Sequence, residues 1–266
     1  MTQPTEQQMA SGPEYSPLSR HDAPSAFETA SDPTRPSATA SSLAPVLLVH
    51  GWNAHARSLR PIREHLTRSG WPDAAVFCLD FRDTHGSNVT HAAEIAAAVE
   101  RLRDRTGAPL VDIVAHSMGG LATRWFIAFS PEPAPVRSVV FIATPHRGTW
   151  TSLLAWGDSA AELRPDSDFL RTLQGRPFPH HIRTFTVRTR IETHVLPAVS
   201  THWPGALADR LVTFPPHAFL PRSLTIARLV RSWLAQPAEP HEHDGFKGDR
   251  MPATRETPPG ERAPAR

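Results

Sequence analysis

The sequence predicts an α/β domain built on a mostly parallel sheet of about six strands with helices on both faces. Three observations carry this. Short apolar runs alternate with amphipathic stretches between residues 44 and 236. The stretches between the runs repeat their apolar residues at helical spacing. One run, Val111-Asp112-Ile113-Val114-Ala115-His116, stops at Ser117 and passes straight into the helical pattern Met118-Gly119-Gly120-Leu121.

The elements follow in order. Residues 46–49 form the first expected strand, which ends in His50-Gly51-Trp52. Residues 74–79 form the second and contain Cys78, the only cysteine. It can form no intrachain disulfide and reads as a small core residue. Ile95, Val99 and Leu102 lie on one face of a helix expected over 89–105. The third strand, 110–114, leads to Ser117, and the fourth, 139–142, ends in Thr144-Pro145-His146-Arg147-Gly148-Thr149. The residues between 149 and 179 suffice for a helix or two and are too few for a large cap domain. Trp150, Leu153, Leu154 and Trp156 in that segment have the spacing of a buried helix face; exposed, they would instead form an apolar rim. Strands at 182–187 and 211–214 and a helix carrying Ile226, Leu229, Val230 and Trp233 complete the domain.

Outside it, residues 1–43 and 237–266 are rich in Pro, Ser, Thr and Ala or in scattered charge, the composition of disordered arms. His241-Glu242-His243-Asp244 in the second arm is read as a short His-rich patch, and no metal site is expected. Net charge is only +2 and arginines stand singly among acids, which argues against a nucleic-acid partner. Nothing approaches the ~18 apolar residues of a membrane span, and the first thirty residues lack a basic start followed by an apolar stretch. As written the chain is expected to be a cytoplasmic monomer; a start codon placed elsewhere would leave secretion open.

In a doubly wound sheet the active site collects at the carboxyl ends of the strands. Ser117 stands there between Ala115 and Gly119, the small residues that a strained strand-to-helix turn needs two places before and after a nucleophile. A serine hydroxyl needs a histidine to take its proton and a carboxylate to orient that histidine. Of His146, His180, His181, His194, His202 and His217, only His217 follows the last strand and precedes the last helix.

These motifs, with Val46-Leu47-Leu48-Val49-His50-Gly51 and Ala143-Thr144-Pro145-His146-Arg147-Gly148-Thr149, make residues 45–235 resemble the α/β-hydrolase family, in particular the compact bacterial lipases and esterases with an Ala-His-Ser-Met-Gly elbow. The resemblance implies a single α/β-hydrolase domain and a Ser-acid-His triad without cofactor or metal. It further implies that the backbone N–H groups of Trp52 and Met118 form an oxyanion hole. Where relatives often carry an Asp, this chain reads Glu192-Thr193-His194-Val195-Leu196-Pro197, so Glu192 becomes the expected acid, with Asp209, Asp166 and Asp168 as alternatives. The Trp52 indole either walls an acyl pocket or packs on the core, and His50 and the His146-Arg147-Gly148 turn are read as scaffold.

The leading expectation is a serine carboxylic-ester hydrolase, an esterase or lipase acting on a small-molecule or lipid ester through an acyl-enzyme. Acyl transfer or thioester hydrolysis on the same triad is a second class, because the steps up to the acyl-enzyme are shared. A non-catalytic binding module is the third, and it has no need of Ser117, Glu192 and His217 together.

Overall fold

The computed structural model describes residues 43–237. Apart from Leu43 and Pro237, the expected arms lie outside the described residues, as does the His241-Glu242-His243-Asp244 patch. The strands are β1 (Val46–Val49), β2 (Val76–Leu79), β3 (Val111–His116), β4 (Val136–Ile142), β5 (Arg183–Thr189) and β6 (Ala208–Val212). They form one sheet in the order β2-β1-β3-β4-β5-β6. Every pairing in it is parallel.

Successive side chains of a strand point to opposite faces, so a strand buried on both faces is apolar throughout. On one face Leu47, Val49, Ile113, Ala115, Val139 and Phe141 meet α2 (Asn88–Thr106) and α3 (Met118–Phe129). Here Ile95, Val99 and Leu102 of α2 are buried as their spacing predicts. On the other face Val46, Leu48, Val114, Val140 and Ile142 meet α1 (Arg60–Arg68) and α6 (Leu224–Leu234). Burial of Ile226, Val230 and Trp233 on that side accounts for the α6 pattern.

Local chemistry sets the helix ends. The Ser87 hydroxyl accepts the Val89 N–H at 3.1 Å and caps α2, while Gly107 ends it at φ 68°, a left-handed conformation glycine adopts without strain. Between β4 and β5 run α4 (Asp158–Glu162) and α5 (Asp168–Gln174), two short helices and no cap domain. Glu162 anchors this segment: it accepts from Ser87 Oγ at 2.6 Å and from the Asn88 N–H at 2.6 Å, at the start of α2.

Two strands differ from expectation. β4 starts at Val136 rather than 139, because Arg137 on it donates Nε to Asp112 Oδ1 of β3 at 2.9 Å and is thereby accommodated part-buried in the sheet. β6 spans Ala208–Val212 rather than 211–214, and Phe214 beyond it is exposed. The edge strand needs no apolar run; Asp209 joins Arg188 of β5 at 2.8 Å across the ladder. Asp209, expected just before this strand, is its second residue.

Cys78 lies within β2, and burial pushes its thiol up to about 11. At neutral pH only about one molecule in 10⁴ then carries the reactive thiolate. Iodoacetamide is expected to leave the intact mass of the folded protein unchanged and to add one carbamidomethyl group after unfolding in guanidinium. Among the described residues no helix is long and apolar enough to cross a membrane.

The strand order has one consequence for function. From β1 the chain crosses outward to β2, and from β3 it proceeds the other way to β4, so the carboxyl ends of β1 and β3 flank the switch point where such folds open a crevice. His50-Gly51-Trp52 leaves one side of that crevice and Ser117 stands on the other.

Candidate active site

Ser117 joins β3 to α3 at φ 53° and ψ −127°, a region that a residue with a Cβ rarely occupies. Its N–H donates to the Ile142 carbonyl of the neighbouring strand at 2.8 Å, and its own carbonyl accepts the Gly120 N–H at 3.0 Å. The turn is therefore held from both sides.

The small residues around it are explained by contact. A Cβ on Gly119 would lie 2.3 Å from the His50 carbonyl oxygen, and one on Gly120 would lie 1.9 Å from Thr144 Oγ1. Thr144 is fully buried and has nowhere to go. Gly120→Ala is expected to cost about 3 kcal/mol or more, the upper end for overpacking. Urea unfolding checks this against Gly175→Ala, where the added methyl meets only ordinary contacts.

His217 begins the 3₁₀ turn His217–Arg222 after β6 and is buried. Its Nε2 lies 3.0 Å from Ser117 Oγ and its Nδ1 3.0 Å from Glu192 Oε2. The chain thus brings together residues 100 and 25 positions apart in one relay. Glu192 Oε1 also accepts the N–H groups of His194 and Val195 at 2.9 and 3.0 Å. Burial pushes the Glu192 carboxyl upward, but the hydrogen bond and charge of His217 and these two backbone donors outweigh it, and the group sits below the usual carboxylate range. An ionised carboxylate only accepts, so Nδ1 carries the imidazole proton and Nε2 offers its lone pair to the serine hydroxyl.

Two of the alternative acids are paired elsewhere. Asp209 holds Arg188 and His202, with His202 Nδ1 at 3.0 Å, and Asp168 holds Arg171. Asp166 is exposed, with its backbone in the left-handed region at φ 61°.

Two histidines not singled out by the sequence flank His217. His116 Nε2 donates to the His217 carbonyl at 3.3 Å, and burial drives its ring well below the ordinary histidine range, so it stays neutral beside the relay. The His194 ring stacks on that of His217 with centroids 4.9 Å apart. Only its place two residues after Glu192 hinted at this. His50 and His146 are buried, as scaffold residues should be.

The loop after β1 passes so close that a Cβ on Gly51 would lie 2.9 Å from Ser117 Cβ. Trp52 follows Gly51 in this loop, and Met118 is the first residue of α3, where N–H groups have no acceptor within the helix. The Trp52 indole donates to the Trp156 carbonyl at 3.3 Å and packs edge-on against the Trp156 ring. Trp156 and Leu154 are 60% and 89% exposed. The segment from Trp150 to Trp156 is thus an apolar rim rather than a buried helix face, because Trp150–Leu154 is a short 3₁₀ turn. Ser117, His217, Trp52, Leu154 and Trp156 line an open cavity of about 660 Å³.

A family model described as the alpha/beta hydrolase fold matches residues 44–199. The chain belongs to this family. Within the α/β-hydrolases it is 32% identical over 111 residues to a triacylglycerol lipase of Pseudarthrobacter phenanthrenivorans, covering 40% of this chain and 34% of that protein. A triacylglycerol lipase of Burkholderia plantarii is likewise 32% identical over 111 residues, covering 40% of this chain and 30% of that protein. The match therefore spans about a third of the length of these relatives. The fold is that of the mature lipase BlEst2 of Bacillus licheniformis, at TM-score 0.62 and 15% identity over 73% of this chain and 93% of that one. Lipase B of Aspergillus fumigatus superposes at TM-score 0.61 with 18% identity over 78% of this chain and 56% of that one.

Proposed function

We propose that the chain is a serine carboxylic-ester hydrolase that works through an acyl-enzyme, with Ser117 as nucleophile, His217 as general base and Glu192 as the acid that orients it. One observation carries the reading: Ser117 Oγ, His217 Nε2 and Nδ1, and the Glu192 carboxylate stand in line at 3.0 Å each. His217 takes the hydroxyl proton as Oγ attacks the ester carbonyl, and the imidazolium that forms faces the Glu192 charge. His217 then passes the proton to the departing alkoxide. Water, deprotonated by His217 in turn, attacks the acyl-enzyme and releases the acid and free Ser117.

The oxyanion of each tetrahedral intermediate is assigned to the N–H groups of Trp52 and Met118. Supporting this are the close approach of Gly51 to Ser117 and the start of α3 at Met118. Each such donor is worth roughly 3 kcal/mol in the transition state. The exposed Trp156 and Leu154 provide apolar surface for an acyl chain. The triacylglycerol lipases among the relatives point to the same reaction class.

The test is a chain-length series of p-nitrophenyl esters run beside an emulsified triglyceride. Hydrolysis of the dissolved esters alone makes the protein an esterase, and release of fatty acid from the emulsion as well makes it a lipase. Failure on both overturns the reading.

A further inference from the structure

The cavity has two kinds of wall. Trp52, Trp156 and Leu154 are apolar, whereas Arg57 and Arg222 are cationic and exposed. No Asp or Glu lines the cavity. Arg57 lies in the 3₁₀ turn Ala56–Leu59 and Arg222 ends the turn His217–Arg222; the two turns pack against each other.

Neither guanidinium has an ion-pair partner among the described residues; that of Arg222 only faces the Phe219 ring, 5.7 Å from its centroid. The acids near the cavity are engaged otherwise. Asp80 accepts the Ala56 N–H at 3.1 Å and lies 3.5 Å from His55 Nδ1, and Glu192 belongs to His217. The next helix shows the contrast: Glu64 binds both Arg60 and Arg68, and Asp73 binds Arg63. Two uncompensated like charges on a partly apolar cavity raise the local concentration of anions, and the guanidinium fork matches the oxygens of a carboxylate or phosphate.

Position decides which part of the substrate carries the anion. His217 hands its proton to the leaving alcohol, so the alcohol departs beside His217, and Arg222, which ends the turn that His217 begins, lines the same cavity. The acyl chain is left with Trp52, Trp156 and Leu154. We infer that the protein selects esters whose alcohol portion bears a carboxylate or phosphate, bound by Arg57 and Arg222. This rests on the ester-hydrolase reading above.

The experiment compares matched substrates: monobutyrin with its phosphomonoester, phenyl butyrate with 4-carboxyphenyl butyrate, and p-nitrophenyl butyrate with p-nitrophenyl hemisuccinate, which places the anion on the acyl side. The ratio of kcat/KM for anionic over neutral ester is measured in the parent, in an Arg57→Gln/Arg222→Gln variant and in an Arg57→Lys/Arg222→Lys variant. The ratio for an alcohol-side pair is expected to fall about tenfold or more in the Gln variant, chiefly through KM, and to be partly restored by Lys. Whether the phosphate or the carboxylate pair responds more identifies the preferred anion. An unchanged ratio in both alcohol-side pairs, or a fall confined to the hemisuccinate pair, would overturn the inference while leaving ester hydrolysis standing. A parent that hydrolyses none of the neutral esters would overturn the hydrolase reading first, and this inference with it.

Discussion

Ser117→Ala is expected to lower ester turnover by about four to six decades, because it deletes the atom that forms the acyl-enzyme. The loss should fall on kcat, with the melting temperature little changed. Alanine removes a hydroxyl that bonds His217 Nε2, and the backbone bonds from the Ser117 N–H to Ile142 and from Gly120 N–H to the Ser117 carbonyl remain. Steady-state rates with p-nitrophenyl butyrate, read beside a thermal melt, check both parts. A variant that keeps more than about one part in a thousand of the parent rate would remove Ser117 from the nucleophile's role.

Glu192→Gln is the second large effect, and the geometry says why a nearly isosteric change should be so harmful. Glu192 Oε1 is held by the N–H groups of His194 and Val195, which require an acceptor. Glutamine must therefore keep its oxygen there and turn its NH₂ toward His217 Nδ1. An NH₂ only donates, so Nδ1 must give up its proton and Nε2 must carry it, which leaves no lone pair to receive the Ser117 proton. Loss of the charge and the wrong tautomer together cost about 10⁴ in kcat in enzymes of this type. Glu192→Asp keeps the charge and falls short by only about 1.5 Å, so it should retain far more activity. Asp209→Asn, Asp166→Asn and Asp168→Asn should change kcat little. If one of them abolishes turnover while Glu192→Gln does not, the acid lies elsewhere.

Much of this was legible in the chain itself, where the physics is local. Alternating apolar runs announce a sheet buried on both faces, and the small residues about Ser117 announce a tight turn that the close contacts of Gly119 and Gly120 explain. Chain order alone separated His217 from five other histidines. The start of β4 was hidden because Arg137 reads as polar until its partner Asp112, on another strand, is in view. The edge strand β6 was displaced because one exposed side removes the apolar signal. Spacing alone left Leu154 and Trp156 open between a buried helix face and an exposed rim, since a short 3₁₀ turn repeats apolar residues without burying them. Least legible were the pairings across long chain separations: His194 stacked on His217, and Arg57 with Arg222 on one cavity.

The most direct measurement is the intact mass of the protein after treatment with a fluorophosphonate, followed by peptide mapping. A single adduct on the peptide containing Ser117 is expected, formed in step with loss of esterase activity and absent from Ser117→Ala. No adduct, or one on a different residue at the same rate in parent and variant, would contradict the assignment of Ser117 as the nucleophile.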